Sequence, residues 1–271
     1  MVVDHALFEE TYHLTEKIAG ERGVPIDSLE VAEEVDSYRE YWKPKGRVRV
    51  VLLAESHVRT EADRFDHLLD REKLSNLGLE GYPTNLVRFV YCLGAGENGL
   101  LARPILPRGA NATKWQYWKI LWSCANDPKK EEFPITLGRT PDFKTRLGKK
   151  IDLLRGLQDK GIWLIDASIV GIDKIAQKQK DEIVRASWEK YMKPLLLSLK
   201  PRPEHLVIIG MGVSRAVLGQ SAKRKGTWKG IPYDVIEQPQ AQLPGEGHRE
   251  NLAKVFRICN GICKHDSMSN T

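Results

Sequence analysis

The sequence predicts an α/β fold: a three-layer α/β/α sandwich with a central, mainly parallel four-stranded sheet. Three observations carry this. Four short apolar runs, at Val48–Ala54, Gly161–Ile165, His205–Gly210 and Tyr233–Glu237, have the length and β-branched content of strands buried on both faces. Longer stretches with apolar residues at helical spacing separate them, and that alternation is the pattern of parallel strands joined by crossover helices. The run Gly161-Ile162-Trp163-Leu164-Ile165-Asp166 also ends abruptly on a carboxylate. In open α/β sheets ligands bind outside the carboxyl ends of the strands, so Asp166 is the first candidate site residue, with a turn or cap as its plainer role.

In chain order, residues 5–20 place Leu7, Leu14 and Ile18 on one helical face and stop at Gly20, which has the character of a C-cap. A short helix over 26–35 follows, with Asp27 or Ser28 as its N-cap. Strand Val48–Ala54 runs into the polar loop Glu55-Ser56-His57-Val58-Arg59-Thr60, and residues 61–70 read as helix. The glycine- and proline-rich stretch 75–112 is the least regular, and Val87–Leu93 inside it suits a strand or a short buried helix. Residues 113–125 form an aromatic amphipathic helix whose tryptophans are best accounted for by core packing. A helix over 141–160 leads into the second strand, and a long helix over 178–199 follows it, kinked or split at Pro194. Residues 223–230 form a basic hairpin-like loop, a helix over 248–257 closes the domain, and 264–271 reads as a frayed tail. The whole chain is one domain, with residues 1–45 as a helical extension.

With 42 Lys+Arg against 36 Asp+Glu, the net charge of +6 is mildly basic and compatible with a nucleic-acid partner. No stretch approaches the roughly 18 apolar residues of a membrane span. Met1-Val2-Val3-Asp4-His5 lacks the features of a signal peptide, and four scattered cysteines do not resemble a disulfide framework. The expectation is a monomeric, cytoplasmic protein.

Several motifs fail on inspection. Gly210-Met211-Gly212 follows a strand and opens a helix, but Arg215 stands where a dinucleotide fingerprint needs its third glycine. No phosphate-loop sequence follows Gly94–Gly99, and Ser214 is not in a nucleophile elbow. Cys259, Cys263 and His265 lack the spacing of a zinc finger or ribbon. Neither a metal nor a cofactor is therefore expected. Lys223, Arg224, Lys225 and Lys229 around Trp228 suit either a solvated loop or a phosphate-contacting surface with a ring for stacking.

The order of the pieces resembles the uracil-DNA glycosylase superfamily over residues 47–258. A polar loop follows the first strand; then come Gly161-Ile162-Trp163-Leu164-Ile165-Asp166 and a long helix, Leu206-Val207-Ile208-Ile209-Gly210-Met211-Gly212, and Val235-Ile236-Glu237-Gln238-Pro239-Gln240 before a last helix. In that family the second of these segments ends on an asparagine that reads the flipped base, a place held here by Asp166. The last strand there ends in His-Pro-Ser-Pro and a wedging leucine, which Gln238-Pro239-Gln240-Ala241 and Leu243 replace. The first loop carries the water-positioning residue and reads Ala54-Glu55-Ser56-His57 here. It lacks the family's proline and glycine.

The resemblance implies a monofunctional glycosylase that flips uracil or a related deaminated base out of DNA and hydrolyses its N-glycosidic bond. Such chemistry needs donors for the departing base anion, here Gln238 and His57, and a carboxylate for water and the cationic sugar, Glu55 or Asp166. Phe89 or Tyr91 is the candidate to stack on the base. Arg59, Ser168, Ser214 and Arg215 lie near strand ends where phosphates would pass, with the basic loop, Gln240 and Leu243 as further DNA contacts. An ionised Asp166 accepts from the base N3–H but repels O4, so either burial protonates it, the base is not uracil, or binding is rearranged. The missing histidine and asparagine also suit an inert member of the fold that binds DNA or abasic sites.

Overall fold

The computed structural model describes residues 5–103, 115–134, 137, 142–172, 177–238, 241 and 243–269. Its centre is a five-stranded sheet in the order β2-β1-β3-β5-β4. The strands are β1 (Val50–Ala54), β2 (Ile162–Asp166), β3 (His205–Ile209), β4 (Lys225–Trp228) and β5 (Ile231–Ile236). The first three and β5 are parallel, in the register Ala54 opposite Asp166, Val51 opposite Leu206 and Leu206 opposite Tyr233. Every residue of β1 and β2 is buried, as their near-continuous apolar content requires of strands covered on both faces.

The fifth strand is absent from the sequence reading. Residues 225–228 pair antiparallel with β5, Lys225 opposite Asp234 and Trp228 opposite Ile231. Glycine and lysines depress the strand signal there, and only the edge position beside β5 makes a strand of them.

The helices are α1 (His5–Glu21), α2 (Leu29–Tyr41), α3 (Ala62–Phe65), α4 (Arg71–Asn76), α5 (Trp115–Ser123), α6 (Phe143–Asp159), α7 (Gln177–Ser187), α8 (Lys193–Ser198), α9 (Met211–Leu218) and α10 (Gly247–Ser269). α6 packs on β2 and α10 on β5, with α5 between them; α9 packs on β3 and β5 and is backed by α7 and α1. This is the expected three-layer sandwich. The long helix is not split in two at Pro194, since the backbone stays helical from α7 into α8; Pro194 is accommodated within it. It sits in the first turn of α8, after a wide π turn at Trp188–Met192.

Several boundaries differ. α1 passes through Gly20, and the chain turns at Gly23, whose φ is +64°. α2 begins three residues late and runs to Tyr41, capped by the Ser28 side chain rather than Asp27. Residues 61–70 hold only α3, with α4 beyond them. Val87–Leu93 is neither strand nor regular helix: it is a buried turn leading into a single 3-10 turn at Leu93–Ala95. Its apolar side chains are in the core as expected, but it meets the free edge of β2 through the Tyr91 hydroxyl, which accepts the Leu164 N–H, and not through backbone pairing. The last helix continues to Ser269, so the tail expected at 264–271 is helical for most of its length.

Residues 1–45 are more than an extension. Val31, Ala32, Val35, Tyr38, Arg39 and Trp42 of α2 are buried, and the Tyr38 hydroxyl donates to the carbonyls of Pro83 and Asn85. The Trp163 indole of β2 donates to the Arg39 carbonyl at 2.9 Å. Deleting residues 1–45 should therefore abolish cooperative unfolding rather than trim a dispensable arm; a truncated chain that melts as sharply as the full one would contradict this packing.

Candidate functional site

The segments that carry the sequence motifs meet at one edge of the sheet. Glu55 and His57 follow β1, Asp166 ends β2, Gly210 follows β3 and Gln238 follows β5. The ends of β1 and β2 stay joined past the last paired residues, with Ala167 N–H donating to the Ala54 carbonyl and Ser168 N–H to that of Glu55, at 2.8 and 3.0 Å. Gly210 adopts a φ of +106°, and a Cβ there would lie 2.7 Å from Cγ of Gln238. The glycine read as part of a failed nucleotide fingerprint is thus what lets Gln238 come down onto the end of β3.

Beneath this edge lies a buried chain of charges that joins four segments. Asp36 pairs with Arg39 within α2; the Arg39 guanidinium is 3.6 Å from the Asp166 carboxylate; Asp166 is 3.5 Å from Nδ1 of His57; and Nε2 of His57 bonds Asp27 at 2.6 Å. Asp27 also accepts the backbone N–H of Thr60 at 2.7 Å and of Gly171 at 2.6 Å. The close approach to Gly171 leaves no room for a side chain, since a Cβ would meet the Asp27 carboxylate at 2.5 Å. One aspartate therefore fixes the loops after β1 and β2 against the connection between α1 and α2.

Burial opposes a charged imidazole at His57, but Asp27 and Asp166 outweigh it and hold its pKa up at about 9. Burial likewise works against the Arg39 charge, and Asp36 followed by Asp166 restores it. Two cations thus sit among three carboxylates in a dry setting.

This placement revises several assignments. Asp166 is only 2% exposed and faces Arg39 and His57, so its carboxylate is committed inside the protein rather than offered at the strand end. His57 is equally enclosed and does not serve as an open donor for a base anion. Phe89 is buried edge-on to the His57 ring at 5.9 Å, with the Arg39 guanidinium 5.8 Å over its face. The Tyr91 hydroxyl accepts the Leu164 N–H at 2.8 Å and is a strut under β2. Neither ring is placed to stack on a ligand. Ser168 is buried and bonds Val170 through both its carbonyl and N–H, and Ser214 is buried within α9.

Other candidates keep contact with solvent. Glu55 is half-buried and pairs with Lys180 of α7 at 3.1 Å. Gln238 and Leu243 are half-buried, Arg215 is exposed, and Gln240 lies outside the described residues. Arg59 is half-buried, 3.8 Å from Glu61, whose carboxylate also meets Arg88 at 3.3 Å. The basic loop is divided by its strand. Lys223 and Arg224 lie at the carboxyl end of β5, where Arg224 pairs with Glu237 at 2.6 Å; Lys229 turns at the opposite end of the sheet. The Trp228 ring packs against Trp188, 5.4 Å between centroids, instead of waiting for a base.

Four site residues escaped the sequence reading: Asp27, Arg39, Lys180 and Tyr117. Arg39 carried a signal, since it falls four residues after Val35 on the apolar face of α2, where a charge needs a buried partner. Asp27 carried a weaker one: with Ser28 capping α2, a second capping residue was surplus. Lys180 carried none. Tyr117 of α5 is half-buried, and burial, followed by the nearby Asp166 and Glu55 charges, holds its phenol well above the ordinary value.

No helix among the described residues is long and apolar enough to cross a membrane. No protein-family model, curated protein or solved structure matches this chain.

The His57 shift sets a pH dependence. With a folded pKa of about 9 against an ordinary 6.5, its contribution to stability is complete below pH 6.5 and is lost as the pH rises through 9. Unfolding free energy should fall by up to about 1.4 kcal/mol per pH unit across that window, and His57→Gln should remove the slope. Denaturant titrations at pH 6, 7.5 and 9 test this, and an unchanged slope in the variant would rule it out. Asp27→Ala strands both the imidazole and two N–H groups, and should cost about 3–5 kcal/mol.

Proposed function

We propose that this protein is a DNA glycosylase that hydrolyses the N-glycosidic bond of uracil or a related deaminated base. One observation carries the reading: the four segments whose order resembles the uracil-DNA glycosylase superfamily lie at the carboxyl ends of four adjacent parallel strands, β2-β1-β3-β5. Residues more than 180 positions apart are thereby brought to one edge, as a site assembled from those loops requires.

In this reading Glu55, at the end of β1 and in contact with solvent, is the carboxylate that positions the water and faces the cationic sugar. Gln238 donates its amide N–H to the base. Asp166 acts from below. Its charge is held by Arg39 and His57, so it shapes the floor of the site instead of reading the base edge through its own oxygens. Lys223 and Lys225, exposed beside the carboxyl end of β5, and Arg215, exposed on α9, are suited to phosphates.

Uracil-containing oligonucleotide incubated with the protein and then treated with alkali should break at the uracil position. Intact strands with uracil, hypoxanthine and xanthine alike would sink the enzyme reading. Glu55→Gln should lower turnover by on the order of 100-fold while leaving DNA affinity nearly unchanged. Lys225→Ala should instead reduce the salt dependence of binding by about one phosphate contact.

The enclosure of Asp166 favours a second reading, an inert protein of this fold that holds DNA or abasic sites. Tight binding to such DNA without release of any base would select it.

A further inference from the structure

We propose that Lys180 is the cation that stabilises the departing base, an inference that rests on the glycosylase reading. A base that leaves as an anion is best met by a charged donor fixed in advance. The histidine that the resemblance implies at the end of the last strand is replaced by the neutral Gln238. Two cations near the strand ends are already engaged below the site: Arg39 between Asp36 and Asp166, and His57 between Asp166 and Asp27. Arg59 faces Glu61. Lys180 reaches in from α7 and sets its ammonium 3.1 Å from the Glu55 carboxylate.

The surroundings suit the task. Both side chains keep a little solvent contact, 15% for Lys180 and 13% for Glu55, so they are neither sealed in the core nor dissolved in water. A charge held there acts through a lower effective dielectric than on an open surface. The ammonium also lies over the junction of β1 and β2. Glu55 follows Ala54, which is in register with Asp166, and its carbonyl accepts the Ser168 N–H.

The step balances with these two residues and one water. The bond between the sugar C1′ and the base nitrogen breaks, and its electron pair leaves with the base. The water oxygen bonds to C1′ and its proton passes to Glu55. Lys180 donates a hydrogen bond to the carbonyl oxygen over which the base anion spreads its charge. The anion then takes the proton from Glu55, which restores the carboxylate and completes the addition of one water.

Single-turnover excision of uracil and of 5-fluorouracil from the same oligonucleotide tests this, because fluorine stabilises the departing anion without help from the protein. Lys180→Met should slow uracil release by on the order of 100-fold. It should slow 5-fluorouracil release markedly less and leave oligonucleotide affinity unchanged, while Lys180→Arg, which keeps the charge, should recover part of the rate. Because Lys180→Met leaves a lone carboxylate, the comparison is repeated on a Glu55→Gln background, where the added leaving-group sensitivity should persist. Equal losses on the two bases, or none, would reduce Lys180 to a strut for Glu55 and overturn the proposal while leaving the glycosylase reading intact. Release of neither base by the unaltered protein would remove that reading and this inference with it.

Discussion

The Asp27–His57 pair is the interaction on which the rest of the site depends. A buried carboxylate cannot stay unpaired, and Asp27 meets that demand with three donors from two different loops. Thr60 N–H and the His57 imidazole belong to the loop after β1 and Gly171 N–H to the loop after β2, and the imidazole in turn faces Asp166. The strand-end loops are thus held by an aspartate 144 residues from Gly171 in the far one. Such a network is costly to desolvate and also costly to break, since losing one member leaves the others stranded in the core. Its consequence is positional: the backbone that carries Glu55 has little freedom.

The same network divides the strand-end residues into two tiers. Asp166, His57, Arg39 and Phe89 form a dry lower tier in which charges face one another at 3.5–3.6 Å and the Phe89 ring packs against them. Glu55, Lys180, Tyr117 and Gln238 form an upper tier that keeps partial exposure. Under the proposed function, chemistry on a substrate falls to the upper tier, because a reacting group must touch its ligand. The lower tier sets where the upper one stands and the field it feels.

Much of the fold was legible in the sequence because burial writes a clear pattern. Val50–Ala54, Ile162–Asp166, His205–Ile209 and Ile231–Ile236 lie within a few residues of the apolar runs that announced them, and their parallel arrangement follows from the helices between them. The edge strand Lys225–Trp228 was not legible, since its pairing is supplied by β5 and not by its own residues. Val87–Leu93 was misread in the opposite sense: a run apolar enough for a strand is buried as a turn beside β2, meeting its edge with the Tyr91 hydroxyl and not with a backbone ladder.

For the site, the sequence by itself determined which residue types stand at the ends of the strands: Glu55, Asp166 and Gln238 at the carboxyl edge of a parallel sheet. Only the tertiary structure decided what each one faces. Asp166 meets Arg39, His57 meets Asp27, Glu55 meets Lys180, and Trp228 turns to Trp188. Most of these partners lie 30 to more than 120 residues apart, beyond the reach of any local periodicity. Spacing along a chain reports which face a side chain occupies. The charge that meets it there depends on how helices from the other end of the chain pack.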